Sequence, residues 1–273
     1  MSDRKTIKKS ISIVVPAYNE ERFLPACLEA IAQQTIMPDE VIVVDNNSTD
    51  RSVEIAKSYK FVRIIKAEQQ GIVYARNAGF DAARSDIIGR IDADTVLPTD
   101  WVERVQKFYA KSANQHNALA GGGYFYNVRF PWLNGWIHGQ MAFRLNRLIV
   151  GHYVLWGSNM AVPRQCWRLA RDKVCLRQDV HEDFDLSFHL HDAGCKITYD
   201  ESLRVGASLG RIFGNRQVVK RYMRRWPQTL KVHHFKLWWL GVVGNWLIWY
   251  IAQPLALSVE RIARLLGRPP VKL

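Results

Sequence analysis

The chain has 273 residues, of which 48% are hydrophobic and 23% are charged, and this is the composition of a folded protein large enough for one substantial core. The absence of low-complexity stretches and solenoid-length repeats from the sequence excludes disordered and repeat proteins. A formal net charge of +13 predicts an anionic partner: nucleic acid, a phosphorylated substrate or an acidic membrane surface.

Residues 1–10 form a basic tail without the apolar segment of a signal peptide, so we expect the folded part to stay in the cytoplasm. The four cysteines show neither C-x-x-C spacing nor a zinc-binding pattern. We interpret them as reduced thiols of a cytosolic chain rather than as a disulfide framework. They are Cys27, Cys166, Cys175 and Cys195.

The first 111 residues alternate strand and helix four times. Buried strands are predicted at Ile11–Val15, Val41–Val44, Val62–Ile65 and Ile87–Gly89, and helices at Glu21–Gln34, Arg51–Tyr59, Gly71–Arg84 and Trp101–Lys111. This alternation predicts βαβ units and a largely parallel sheet. Because no G-x-G-x-x-G follows the first strand, the pattern argues against a nicotinamide dehydrogenase.

Three of these strands end in polar residues: Pro16–Glu20, Asp45, and the pair Asp92 and Asp94. The carboxyl ends of parallel strands meet at one edge of a sheet, where ligands bind. Asp92 and Asp94 are two residues apart, so their carboxylates face the same side and suit Mg²⁺ or Mn²⁺. The alternative is a pair of turn aspartates that cap the helix beginning near Thr99.

The second half is less regular. Strands are predicted at Ala118–Asn127, with a bend, and at Tyr153–Val162, interrupted by a Gly-Ser-Asn turn, with a helix at Trp132–Val150 between them. Another helix begins at Glu182 and Asp183. These carboxylates are either ordinary first-turn charges or a general base with its support. Two histidines follow on this helix, two residues apart and therefore not on one face, and we interpret them as structural. They are His189 and His191.

The C-terminal part contains a basic amphipathic helix, Asn215–Leu230, within residues 211–236, and a hydrophobic segment within residues 237–273. Leu237–Val259 carries no charged residue, and about 20 apolar residues can span a bilayer. Basic residues flank it on both sides, which favours a hairpin in the membrane plane near Pro254 over a single span. The alternative is a helix packed on the catalytic domain or on a second subunit.

Six motifs in this order resemble those of family 2 glycosyltransferases, over residues Ile11 to Leu203. They are VPAYNE (Val15–Glu20), VIVVDNNSTD (Val41–Asp50), ARNAG (Ala75–Gly79), RIDADT (Arg90–Thr95), GSNMA (Gly157–Ala161) and HEDFDLSFHLHDAG (His181–Gly194). The resemblance implies an α/β fold of the GT-A type, with a mostly parallel central sheet flanked by helices. Residues 11–210 would form this domain, with a nucleotide-binding half (11–111) and an acceptor half (112–210). The hydrophobic helical appendage would follow it.

The resemblance also implies roles for individual residues. The nucleotide pocket would be lined by Pro16, Ala17, Tyr18 and Glu20, with Asp45 bonded to the base and Arg76 near the diphosphate. Asp92-Ala93-Asp94 would be the D-x-D motif, with Asp94 as the direct ligand of Mg²⁺ or Mn²⁺. Asp183 would be the catalytic base, supported by Glu182.

One family motif is incomplete. Processive members carry Q-x-x-R-W after the base, whereas this chain keeps Arg225 and Trp226 but has Tyr222 in the place of Gln. We therefore expect a single transfer rather than polymer synthesis, with Arg225 close to the diphosphate.

The expected function is an inverting, metal-dependent transfer from a UDP- or GDP-linked sugar to a hydroxyl of a lipid-linked or cell-envelope glycan. We expect this enzyme to work at an anionic membrane surface on the cytoplasmic face, as a peripheral, monotopic or single-span protein, without a nucleic-acid partner. The alternatives are a polyprenyl-phosphate sugar synthase of the same family, a related nucleotidyltransferase, and a non-catalytic basic nucleotide- or lipid-binding protein. A nucleotidyltransferase would need a Gly-rich basic loop where this chain has VPAYNEERF.

Overall fold

The computed structural model describes residues 8–126, 131–208, 216–236 and 238–247. The strands are β1 (Ile11–Ala17), β2 (Glu40–Asp45), β3 (Val62–Lys66), β4 (Ile87–Arg90), β5 (Ala118–Phe125), β6 (Met160–Pro163) and β7 (Ile197–Ala207). The helices are α1 (Leu24–Ala32), α2 (Ser52–Ser58), α3 (Ile72–Ala82), α4 (Trp101–Tyr109), α5 (Pro131–His138), α6 (Asn146–Val150), α7 (Arg164–Ala170), α8 (Glu182–Asp192), α9 (Arg216–Val232) and α10 (Trp238–Leu247). A 3₁₀ turn, Ser112–Asn114, precedes β5, and a π-helical segment, Gly139–Leu145, joins α5 to α6.

The described strands form one seven-stranded sheet in the order β3-β2-β1-β4-β6-β5-β7. The first four strands of that order are parallel, β6 runs antiparallel to both of its neighbours, and β7 is again parallel to β5. The predicted α/β class with a mostly parallel sheet is therefore confirmed. In the parallel part, Ala17 of β1 lies beside Asp45 of β2, and Asp92 follows the end of β4.

The sheet is covered by helices on both faces, because its central strands alternate side chains between two apolar layers. On one face, α1 and α4 pack against β1 through residues such as Leu28 and Trp101. On the other face, α3, α7 and α8 contribute side chains such as Phe80, Trp167 and Leu186. This two-sided burial explains why β1 is apolar along its length except at Ser12, whose hydroxyl donates to Glu40.

The second half differs from its predicted elements. The predicted strand Tyr153–Val162 is shortened to β6, because Asn159 donates from its side chain to the carbonyl oxygens of Gly122 and Leu203, at 2.8 and 2.7 Å. The helix expected over 132–150 contains the π-helical segment. Strand β7, which carries several polar residues, was not predicted.

The predicted basic helix is present as α9, and α10 packs against it, with Gly241 close to the ring of Trp226. The hydrophobic segment Leu237–Val259 is described only over Trp238–Leu247, and the rest of it lies outside the described residues. Among the described helices, none combines the length and the apolarity needed to cross a membrane.

Candidate active site

A buried arginine at the end of β4 connects the two acidic motifs. The Arg90 side chain is almost fully buried, and its Nη2 lies 2.7 Å from Oδ1 of Asp92 and 3.2 Å from Oε1 of Glu182. Arg76 of α3 approaches the other oxygen of Glu182, at 3.1 Å, and also donates to the Glu182 carbonyl oxygen. The four side chains therefore join α3, β4 and α8 in one ionic network beneath the site.

Asp183 is held beside this network by backbone donors. The amide of Gly157 donates to its Oδ2 at 3.0 Å, and the amide of Phe184 donates to its Oδ1 at 2.9 Å. Burial raises the pKa of Asp183, while Arg90 and the two amides act in the opposite direction. A raised pKa brings a carboxylate closer to the range in which it can accept a proton from a hydroxyl.

Gly157 is required by the same arrangement. A Cβ atom on Gly157 would lie 1.4 Å from Nη1 of Arg90, so that only glycine leaves room for the guanidinium group. The next residue, Ser158, donates from its hydroxyl to Oδ2 of Asp92 at 2.5 Å. Both oxygens of Asp92 are therefore engaged, one by Arg90 and one by Ser158.

The acidic residues form a set whose charge is not balanced. Four carboxylates face two buried arginines, which leaves an excess of two negative charges when all are ionised. The carboxylates are Asp92, Asp94, Glu182 and Asp183, and the arginines are Arg76 and Arg90. Burial and the neighbouring charge of Asp92 raise the pKa of Asp94 to about 7. Oxygen ligands and an unbalanced double negative charge fit a divalent cation such as Mg²⁺ or Mn²⁺.

The predicted nucleotide-binding residues lie on two loops that are fastened together at the ends of β1 and β2. The side chain of Asn19 accepts from the amide of Thr49 at 2.8 Å, and the amide of Glu20 donates to Ser52 at 2.7 Å. Pro16 and Ala17 end β1. Tyr18 is exposed, Glu20 is buried, and Asp45 accepts from the amide of Ser48 at 2.9 Å. The geometry brings these residues to one sheet edge, while their contacts with a nucleotide stay predictions.

The two arginines predicted near the diphosphate lie in different surroundings. Arg76 is completely buried against Glu182, so its role toward a diphosphate stays a prediction. Arg225 of α9 lines a small cavity of about 50 Å³ together with Gly71 and Glu182. Its buried Nε atom has no hydrogen-bond partner among the described residues.

A second ligand-capable group lies further along α8. One carboxylate oxygen of Asp185 lies 2.8 Å from Nε2 of His233 and 3.4 Å from Nε2 of His189, and the other accepts from the amide of Cys175. These three side chains could hold a metal ion, since their ligand atoms lie within 4.8 Å of one another. Hydrogen bonds alone also account for the clustering of these three side chains, because each neutral histidine has one N–H that it can donate to the carboxylate. His233, which follows α9, thus links the end of that helix to α8 through Asp185, while His189, interpreted as structural, bonds to Asp185 within α8.

Arg90, Ser158 and Gly157 were not identified as site residues from the sequence. The sequence did contain an indication of the role of Arg90, because an arginine that ends an otherwise apolar buried strand requires an acidic partner. The sequence contained no such indication for Ser158 and Gly157, since their role depends on the antiparallel placement of β6 beside β4.

A mostly parallel sheet with polar side chains gathered at its carboxyl edge defines an open α/β protein with a ligand cleft at that edge. The family model for glycosyl transferase family 2 matches residues 12–175, so the chain belongs to this family.

Curated relatives match over different lengths. The chain is 33% identical to the glycosyltransferase AglE of Haloferax volcanii, over 95% of this chain and 82% of AglE. It is 36% identical to the uncharacterized glycosyltransferase EpsJ of Bacillus subtilis, but over only 35% of this chain and 29% of EpsJ. EpsJ is one of several relatives of which the matched region covers less than a third of the relative's own length.

Solved structures confirm the fold as GT-A-type. The mannosyltransferase PcManGT from Pyrobaculum calidifontis, in complex with GDP-Man and Mn²⁺, superposes with a TM-score of 0.64 at 19% identity, over 96% of this chain and 77% of that one. Residues 1–349 of TarS from S. aureus, in complex with UDP-GlcNAc, give a TM-score of 0.58 at 20% identity, over 73% and 58%.

Proposed function

We propose that this protein is an inverting glycosyltransferase that transfers a sugar from a nucleoside-diphosphate sugar to an acceptor hydroxyl. The observation that carries this proposal is the joining of Asp92 and Glu182 through Arg90 at the carboxyl edge of the sheet, with Asp183 held beside them by two backbone amides. A protein that only bound anions would gain nothing from carboxylates in its cleft. The nucleotide sugars in the neighbouring structures support a UDP- or GDP-linked donor.

In the proposed reaction, Asp183 accepts the proton of the acceptor hydroxyl while that oxygen bonds to the anomeric carbon. The bond from the anomeric carbon to the phosphate oxygen breaks, and its electron pair leaves with the nucleoside diphosphate. One displacement of this kind inverts the anomeric centre. Glu182 is a positioning residue in this scheme, since both of its oxygens face arginines.

Asp94, with Asp92 beside it, would hold a divalent cation. When bound, the cation supplies Lewis-acid stabilisation of the leaving diphosphate. Arg225 would add a positive charge from the α9 side, which its position beside Glu182 and its unsatisfied Nε support.

We propose a lipid-linked or cell-envelope glycan as the acceptor, at the cytoplasmic face of an anionic membrane. A cavity of about 460 Å³ between α9 and Asp179 supports an acidic acceptor group, because it is lined by Lys220, Arg221 and Arg224. A polyprenyl phosphate would satisfy the same charges, which makes the polyprenyl-phosphate sugar synthase the variant of this proposal to test alongside it.

The test is donor binding and turnover with purified protein across UDP-, GDP- and dTDP-sugars, with Mn²⁺ and after its removal by EDTA. We expect one donor to bind in a metal-dependent manner and Asp94→Ala to abolish this binding. Asp183→Asn should keep donor binding and lower kcat by about 10²–10⁴-fold. Asp172→Asn is the matched control, since its carboxylate is exposed on the surface. Binding of no donor by folded protein would refute the proposal.

A further inference from the structure

The helical segment between β5 and β6 exposes a row of large apolar side chains. On α5, Trp132 is 69% exposed, and Leu133, Trp136 and Ile137 are also exposed. At the end of the segment, Leu148 is 82% exposed. An exposed apolar patch of this kind on a helical surface marks an interaction site.

The exposure of this row follows from how firmly the opposite side of the segment is attached. Gly135 sits directly on β5, because a Cβ there would lie 3.1 Å from the carbonyl oxygen of Gly123. The ring of His138 packs against Trp156 with centroids 4.5 Å apart, and Phe143 stacks on Tyr199 at 4.2 Å. The outer side chains therefore cannot turn inward without breaking this packing.

The charge that the segment itself carries is positive. The sequence carries no Asp or Glu between Glu103 and Asp172, while Arg and Lys recur throughout that stretch. Arg144 and Arg147 lie within the segment itself and are exposed. Arg144 forms an ion pair with Glu201 at 2.9 Å, whereas Arg147 donates to the neutral hydroxyl of Tyr153 and keeps its charge unbalanced there. Tryptophan rings flanked by cations are the composition of a helix that lies at the interface of an anionic bilayer.

We propose that residues 131–148 form a membrane-docking surface, with Trp132, Trp136 and Leu148 inserted at the interface of an anionic phospholipid bilayer. This surface is a different stretch of the sequence from the hydrophobic segment Leu237–Val259. The inference rests on the proposed membrane placement but not on the transfer reaction, so vesicle binding and donor binding can fail independently. A second copy of the chain is the competing occupant, and the cations of the segment disfavour it through like-charge repulsion.

The experiment is co-sedimentation of the full chain with phosphatidylcholine vesicles, with and without phosphatidylglycerol. We expect binding that requires phosphatidylglycerol and that weakens by about tenfold in the double variant Trp132→Ser/Trp136→Ser. Leu148→Glu should weaken it in the same direction. The matched control is Leu169→Ser on α7, which removes an apolar side chain that is 59% exposed outside the segment.

Equal vesicle binding by the double variant and the wild type would overturn the proposal, as would an equal loss in the Leu169→Ser control. Absence of vesicle binding by the wild type would overturn it as well. Light scattering without lipid tests the competing occupant: a dimer that the double variant dissociates would assign the surface to self-association. Nucleotide-sugar binding by each variant shows that the fold and the donor site are intact.

Discussion

Removing the guanidinium group of Arg90 should destabilise the protein strongly. The Arg90→Met variant keeps most of the side-chain volume but leaves Asp92 and Glu182 without the cation that lies 2.7 and 3.2 Å from them. Breaking a buried ion pair by removing one partner costs about 3–5 kcal/mol, because the remaining charge stays desolvated. For a domain of this size, that loss corresponds to a fall in Tm of roughly 10 °C.

The control for this variant is Arg104→Met. Arg104 forms an ion pair with Asp100 at the same 2.7 Å, but both side chains are about 40% exposed, at 41% and 38%. An exposed pair contributes at most about 1 kcal/mol. Arg104 also donates to the carbonyl oxygen of Ser202 at 3.0 Å, and its truncation removes that bond as well. Because the two ion-pair distances are equal, a larger loss of stability in Arg90→Met reports the effect of desolvation.

The assay is urea denaturation of the metal-free protein, followed by circular dichroism, for Arg90→Met, Arg104→Met, Asp92→Asn and the double variant Arg90→Met/Asp92→Asn. The double variant should lose less stability than the sum of the two single variants, because it no longer holds an unpaired charge at that position. If Arg90→Met and Arg104→Met differed by less than about 1 kcal/mol, the buried network would not have the energetic role assigned to it here.

Further substitutions test other parts of the site. Gly157→Ala should cost about 2–4 kcal/mol and reduce turnover, because its Cβ would occupy the position of the Arg90 guanidinium; Gly194→Ala, with φ +80° and open space around it, should cost only about 1 kcal/mol. Asp185→Asn should cost about 2 kcal/mol at pH 7, since the carboxylate accepts hydrogen bonds from two histidines and a backbone amide. These hydrogen bonds offset burial and lower the pKa of Asp185 to about 2, so its stabilisation is complete above pH ~4 and is lost as the pH falls toward 2. The stability difference between wild type and Asp185→Asn, measured in urea, should therefore narrow between pH 7 and pH 3, and a constant difference would contradict this reasoning.

The parallel half of the sheet could be predicted from the sequence because its signals are local. Each strand there is a short β-branched run, such as Ile11–Val15, and each is followed by a helix with an apolar face. The acidic residues at the strand ends, Asp45 and Asp92, follow from the same pattern. Because these strands are buried on both faces, each appears in the sequence as a short apolar run that is easily assigned to a strand.

The antiparallel part could not be predicted in the same way, because its pairing is non-local. Strand β6 contributes only four residues, and its start is set by Asn159, which takes its partners from Gly122 and Leu203. The consequence for the site is large, since this pairing carries Gly157 and Ser158 to Arg90 and Asp92. A sequence pattern indicates a carboxylate at the start of α8, but it does not indicate which backbone amide will hold it.

The charge distribution of the molecule bears on the metal ion of the proposed reaction. The chain as a whole has a net charge of +13, yet the two arginines closest to the acidic motifs are committed to ion pairs and almost completely buried. A diphosphate that entered the cleft would therefore meet carboxylates whose charge these two arginines balance only in part. The general positive charge can attract the donor over longer distances, but screening limits that attraction to about 10 Å. In the proposed reaction, a divalent ion on Asp94 would neutralise the leaving group, with Arg225 approaching from α9. This would give the two carboxylates of the proposed D-x-D motif a purpose that binding alone would not.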